Sequence, residues 1–425
     1  MAITRRRKQI GSSGIALTVL TDSKLKTNSF LVHFISELTE ENAAAYASCA
    51  FMLEDSCREY PTITDFGKRL AELYGANVRC GVSRFSDSRT VTFAASCISD
   101  RYALEGEEVS YELLKLLCGC IFEPVTENGC FPEKQFALKK QELIDDIDAD
   151  INDKRLYALK QAGRTVYKGE PAGIAVKGER SAAISLTADK AFEAYKEMLC
   201  SSKIEIFFVG NELTEKCERL IEEKFSAIER KNVHVPEIVF SKLKESAERI
   251  TDRLDIVQSK MVMAYKTDLN DRSVSRVFTA VFGATPFSML FKNVREKLSL
   301  CYYCAASVNV KKQVMYIDSG VESGNIEAAQ AEISRQLEAV ARGEFSDELL
   351  SQAKLSIICA LKAVNDYPRS VADWYFADCM LDESEIKSPE DVIAEIEKVT
   401  REDVAEYAAH MKLDTVYVLT GKEEA

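Results

Sequence analysis

The chain repeats itself, and the repetition limits its folds more than any other feature. Thr187-Ala-Asp189 opens a helical stretch containing Tyr195, which leads into the apolar run Ile204-Glu-Ile-Phe-Phe-Val209 and then Gly210-Asn211-Glu212. Near the other end, Thr400-Arg-Glu-Asp403 opens a helical stretch containing Tyr407, followed by Val416-Tyr-Val-Leu419 and Gly421-Lys422-Glu423. The spacing from threonine to glycine is nearly the same in both. Each threonine suits a helix N-cap, and Asp189 or Asp403 places a negative charge where the helix dipole favours it. Two half-chains closing on one helix–strand–glycine unit imply a duplicated domain. The length agrees, because 425 residues exceed what a single core accommodates. Residues 231–244, with Pro236 among polar neighbours, suit an exposed connector. The expected division is therefore a first domain over 1–230, a linker over 231–244 and a second domain over 245–425.

Neither half shows the regular strand–helix alternation of a parallel sheet. Residues 15–20 and 29–35 read as strands, the second alternating through Phe30, Val32 and Phe34. An Ala-rich helix over 41–52 follows Thr39, and 78–85 with 90–97 reads as a hairpin. A long helical stretch covers 133–167, with a break near Asp153. In the second half a strand over 255–265 precedes a helix over 286–297. A hairpin over 301–310 and 314–321 turns at Lys311-Lys312. Helices over 326–341 and 347–365 follow, Pro368 stopping the second. This pattern is α+β: two tandem homologous domains, each a mainly antiparallel sheet with helices packed on one face.

Composition excludes several functions. With 46% apolar and 29% charged residues the chain is of soluble globular type. A net charge of -13 argues against nucleic acid and against anionic membrane surfaces, and serves solubility. The 13 cysteines are an odd number, and Cys49, Cys97, Cys118, Cys120, Cys200, Cys359 and Cys379 sit in apolar runs. They suit buried thiols in a reducing compartment rather than a disulfide framework. No apolar core follows the basic start at Arg5-Arg6-Arg7, and no run of about 18 apolar residues occurs. A cytoplasmic location is expected.

One motif is specific. Gly283-Ala-Thr-Pro-Phe-Ser288-Met-Leu290-Phe291 runs on through Val294-Arg295-Glu296-Lys297-Leu298-Ser-Leu300-Cys-Tyr302. It resembles the C-terminal-half motif of the pitrilysin/insulinase/mitochondrial processing peptidase family, a glycine and a Ser-x-Leu-Phe helix followed by Arg-Glu-Lys-x-x-Leu-x-Tyr. Duplicated α+β halves are also what that family implies. Its active members carry His-x-x-Glu-His in the first half, two imidazoles one helical turn apart on zinc with the glutamate as general base. This chain has three histidines, His33, His234 and His410, none paired at that spacing. The resemblance puts Tyr46, Cys49 and Ala50 at the His, Glu and His positions, and Glu142 near the third ligand. That set cannot hold catalytic zinc, so the chain is expected to bind no metal and to have no catalytic residue of its own.

What the resemblance preserves is Arg295 and Tyr302, a pair that in the family reaches the substrate backbone. A guanidinium and a phenol are both donors able to face a carbonyl oxygen; without the resemblance they read as a solvated helix residue and a half-buried strand residue. Tyr303 should face the opposite side of its strand, towards the core. Cys301 and Cys304, three apart in a strand, should face opposite sides as core thiols, and Cys49 reads as a small core residue. Trp374 reads as an anchor between elements. The implied function is a non-catalytic subunit of a two-chain zinc peptidase, contributing Arg295 and Tyr302 and half of a closed chamber for peptide substrates. Zinc is expected in a homologous partner, as a heterodimer, with self-association as a homodimer the other possibility. The alternative is a peptidase-like scaffold without a proteolytic role; the same family branch carries an association with elongation factor P modification.

Overall fold

The computed structural model describes residues 3–11, 14–379 and 386–422, for 378 and 379 the backbone alone, so the Cys379 side chain and Glu423 lie outside the described set. Six strands form the first sheet: β1 (Thr4–Gln9), β2 (Ile15–Thr21), β3 (Thr27–Glu37), β4 (Asn77–Phe85), β5 (Ser88–Ile98) and β6 (Lys203–Gly210), in the order β1-β2-β6-β3-β5-β4. Five form the second: β7 (Glu248–Leu254), β8 (Ser259–Lys266), β9 (Cys301–Asn309), β10 (Val314–Val321) and β11 (Lys412–Gly421), in the order β7-β11-β8-β10-β9. Leaving β1 aside, the two orders are the same. Each sheet has one parallel pair, β2 with β6 and β7 with β11, and is otherwise antiparallel. The duplication read from two helix–strand–glycine units is a duplication of whole sheets. Both capping threonines behave as expected: Thr187 accepts from the Lys190 amide, and Thr400 and Asp403 form a reciprocal capping box.

The pleat sorts the first sheet's side chains onto two faces. Phe30, Val32, Phe34, Ile204, Ile206 and Phe208 join the main core with the helices Ala43–Leu53, Val109–Phe122 and Ala188–Ser201. Leu20, Leu31, Phe207 and Val209 point the other way and are covered by Val371, Ala372 and Tyr375 of the helix Pro368–Cys379. Trp374 packs there as well. In the second sheet, Val262, Ala264, Val314, Tyr417 and Leu419 are covered by Ala158, Ala162 and Val166 of the helix Lys154–Val166. Met261, Met263, Met315 and Ile317 are buried on its opposite face, where the Tyr265 hydroxyl meets Ser334 of the helix Ile326–Ala341. Among the described residues, the helices thus lie mainly on one face of each sheet, and a single helix lies on the other.

Those single helices come from the opposite half of the sequence. One compact unit comprises residues 1–148, 174–237 and 364–386, the other 149–173, 238–363 and 387–425. The break foreseen near Asp153 is where the first exchange occurs: Asp153 caps the new helix, accepting from the Arg155 and Leu156 amides. Pro368 ends one helical run and also opens the helix that crosses back, a position proline tolerates because its missing N–H is not needed. Residues 231–244 hold no helix or strand. The strand expected over 255–265 is β8, starting at Ser259. The expectation missed β1, read only as a basic start, and β7, whose alternation of exposed charges hides its apolar residues.

Two polar groups are sunk in the helix-covered second face of the first sheet. Arg7 holds Glu205, which is fully buried, by a bidentate pair at 2.7 and 3.0 Å. His33 stacks on Phe376 at 4.0 Å, meets the Thr92 hydroxyl at 2.9 Å and has no partner for Nε2 among the described residues. Burial, aided by the nearby Arg369 cation, pushes the His33 pKa down to about 3. Its folded value lies below its unfolded one, so stability is intact above the unfolded pKa and is lost as pH falls towards 3. A loss of about 2 kcal/mol at pH 5 is expected. Urea midpoints should fall more between pH 7 and pH 5 for the native chain than for His33→Leu; equal falls would refute the assignment. No helix among the described residues is long and apolar enough to cross a membrane.

Candidate functional site

The three positions matched to the family's zinc motif lie on the helix Ala43–Leu53, and all are buried: Tyr46 at 3% exposure, Cys49 at 0% and Ala50 at 2%. The guanidinium of Arg89, on β5, lies 3.6 Å from the centroid of the Tyr46 ring. Arg89 is itself fully buried. Its Nε and Nη2 donate to Ser36 Oγ at 3.2 and 3.0 Å, Nη1 to Asn42 Oδ1 at 2.7 Å, and Nη2 to the Glu37 carbonyl at 2.8 Å. Burial pushes the Tyr46 phenol and the Cys49 thiol up to about 12, so both stay protonated. The Cys49 thiol donates to the Ala45 and Ala191 carbonyls. Glu142 is occupied too, since it shares the Lys139 ammonium with Asp55 at 3.1 and 2.6 Å. These residues do not fit a zinc ion: two side-chain cations sit among them, and neither the phenol nor the thiol is ionised. Among the described residues no three His, Cys, Asp or Glu gather to hold a metal.

The second unit holds a cleft of about 380 Å³ lined by Arg295, Ser299, Leu300, Cys301, Tyr302, Glu322 and Asn325. It brings Arg295 and Tyr302 together, and three backbone irregularities shape it. The first is the helix, foreseen over 286–297, which has only a turn at 286–288 and runs as a π-helix over Phe291–Lys297. Such wide turns are rare and concentrate at functional sites. Buried Ser288 supports its start and Val294 anchors it, which leaves Arg295 exposed. The second is Ser299, in the left-handed region at φ 52, which reverses the chain into β9. The third is a bulge. Tyr303 pairs with Gly320 and Cys301 with Val321, so Tyr302 is the extra residue, and it stands 60% exposed.

The bulge corrects one expectation. Cys301 and Cys304 do not face opposite sides of the strand: the extra residue brings both to the buried face, where a hydrogen bond from Cys304 lowers the pKa of Cys301. Without the bulge, Tyr302 would occupy that face and be packed away from the cleft. Tyr303 lies half-buried on the other side, with the Arg155 guanidinium 4.5 Å from its ring centroid. Cys359, expected to be buried, is exposed at a helix surface.

The glycine of the motif also has a structural reason. It belongs to a second π-helical segment, Ala280–Ala284, pressed against β9. A Cβ on Gly283 would lie 2.6 Å from the Ala306 Cβ and 2.8 Å from the Ala306 nitrogen. Arg295 makes no hydrogen bond or ion pair with the described residues, and its guanidinium lies 4.6 Å from the Phe291 ring centroid. Tyr302 donates its phenolic hydrogen to Glu322 Oε1 at 3.1 Å. Sequence reasoning missed Glu322 and Arg89. A glutamate after a strand and an arginine opening one both look like solvated surface, and only the tertiary fold shows otherwise.

Comparison with known proteins agrees with this geometry. The model of the peptidase M16 inactive domain matches residues 185–357. The probable inactive metalloprotease YmfF of Bacillus subtilis is 26% identical over 422 residues, 97% of either chain. A crystal structure of a conserved protein from Enterococcus faecalis superposes with a TM-score of 0.90 at 26% identity, covering 99% of both chains. A peptidase M16 inactive domain from Pseudomonas fluorescens has the same fold, with a TM-score of 0.77 at 15% identity over 99% of both. With two sheets of one topology and a motif that builds a cleft, this chain is similar in sequence and fold to the inactive homologues of the M16 peptidase family.

Proposed function

We propose that the chain is the non-catalytic subunit of a two-chain zinc peptidase in the cytoplasm, lending Arg295 and Tyr302 to a peptide held in a chamber that a zinc-bearing homologue completes. The observation that carries this reading is the cleft itself. A π-helix, a left-handed serine and a strand bulge all act to keep one arginine and one tyrosine exposed on a shared wall. A chain kept only as a scaffold has no use for that arrangement, and strained backbone persists where function holds it. Arg295 is the stronger contact, since none of its five donors is spent on a carboxylate and all can reach a peptide carbonyl.

The test is biochemical. Recovery of this chain from its native cells should bring a homologue carrying His-x-x-Glu-His and zinc, while the isolated chain holds substoichiometric metal. In the reconstituted mixture, Arg295→Ala should lower peptide turnover about tenfold, the value of one charge-assisted hydrogen bond. Turnover unchanged by Arg295→Ala would favour a scaffold instead.

A further inference from the structure

Arg295 and Tyr302 differ in what they offer a ligand. A phenol has one hydrogen to donate, and Tyr302 gives it to Glu322. The hydroxyl oxygen therefore faces a ligand with lone pairs only. Arg295, by contrast, has donors alone. We propose that Glu322 is a positioning residue that accepts the Tyr302 hydroxyl hydrogen and leaves the phenol only its lone pairs for a ligand, so that the cleft reads both polar groups of an extended peptide: a backbone C=O at Arg295 and a backbone N–H at Tyr302.

This deepens the peptide-binding reading of the cleft and rests on it. The ligand class is an unfolded peptide whose amides are free, because a folded chain has already paired those groups. It also separates this cleft from an oxyanion site, which needs two donors aimed at one oxygen. Here one donor and one acceptor are set side by side, an arrangement suited to an intact peptide rather than to a tetrahedral intermediate. Glu322 raises the pKa of the phenol by accepting its hydrogen bond, which keeps the proton where this arrangement needs it. Asn325, on the same wall, adds a neutral amide.

The experiment uses the full chain and a fluorescein-labelled unstructured peptide, together with copies methylated at each backbone nitrogen in turn. Binding is followed by fluorescence anisotropy. One methylated position should weaken binding to the native chain about three- to tenfold, the range for one hydrogen bond. That penalty should vanish in Tyr302→Phe, shrink in Glu322→Ala, where the hydroxyl is no longer held in its accepting orientation, and persist in Glu322→Gln, whose side-chain carbonyl still accepts from the phenol. Tyr302 and Glu322 are both exposed, so the variants should fold, and circular dichroism checks this. A penalty that survives unchanged in Tyr302→Phe or Glu322→Ala overturns the proposal while leaving the cleft a peptide site. A native chain that binds none of the peptides overturns the peptide-binding reading and this proposal with it.

Discussion

Replacing Gly283 by valine should destabilise the protein by about 3 kcal/mol or more, among the larger effects a single substitution has here. Even alanine would place its Cβ 2.6 Å from the Ala306 Cβ, 2.8 Å from a backbone nitrogen and 2.9 Å from Leu290 Cδ1. Leu290 can swing aside, but the nitrogen belongs to β9 and cannot. The π-helical segment must then lift off the strand, and Val281 and Phe282, both fully buried, move with it. Cleft and core should be lost together. Urea unfolding should show a lower midpoint for Gly283→Ala and a much lower one for Gly283→Val. A valine variant with the native midpoint would show that the segment has room that the structure denies it.

Arg89→Ala should cost about 3 kcal/mol, from a cavity, from unsatisfied acceptors and from a lost cation–π contact. Two effects oppose each other. Burial lowers the Arg89 pKa to about 10, so keeping its charge inside the protein is unfavourable on its own. Against that stand four hydrogen bonds and the Tyr46 ring 3.6 Å away. Because the acceptors remain after truncation, their desolvation goes uncompensated, and the second group of effects wins. Arg89→Met refills the volume without the charge and should recover part of the loss. If Arg89→Ala unfolds at the native urea concentration, the guanidinium contributes nothing to the fold.

The contrast between these two residues marks what could be read in advance. Gly283 stands in a motif, and caps, most strands and the duplicated halves follow from periodicity, so the elements foreseen were legible to within a few residues at most ends, whereas β1, β7 and the exchange of helices were not. The pairing of Arg295 with Tyr302 came from a family resemblance, and the cleft between them from the structure. Arg89 was invisible because a charge after a Ser-Asp-Ser turn signals solvent, and nothing local says that Tyr46 lies under it. The faces of Cys301 and Cys304 were misjudged for a similar reason. A strand alternates by rule, and the bulge that breaks the rule at Tyr302 depends on pairing with Gly320 and Val321, which lie far along the chain. Glu322 escaped notice because its role is a hydrogen bond to a residue twenty positions away.

The exchanged helices also bear on how the protein is made. Leu20, Leu31, Phe207 and Val209 are all present once residue 210 has been synthesised, but Val371, Ala372 and Tyr375, which cover them, come about 160 residues later. At ordinary translation speeds that interval lasts roughly 10–30 seconds. Throughout it the nascent chain carries a sticky, finished sheet with one side bare. With this connectivity the first half cannot complete its packing before the second half is nearly finished, and apolar surface exposed meanwhile is what makes folding intermediates prone to aggregate.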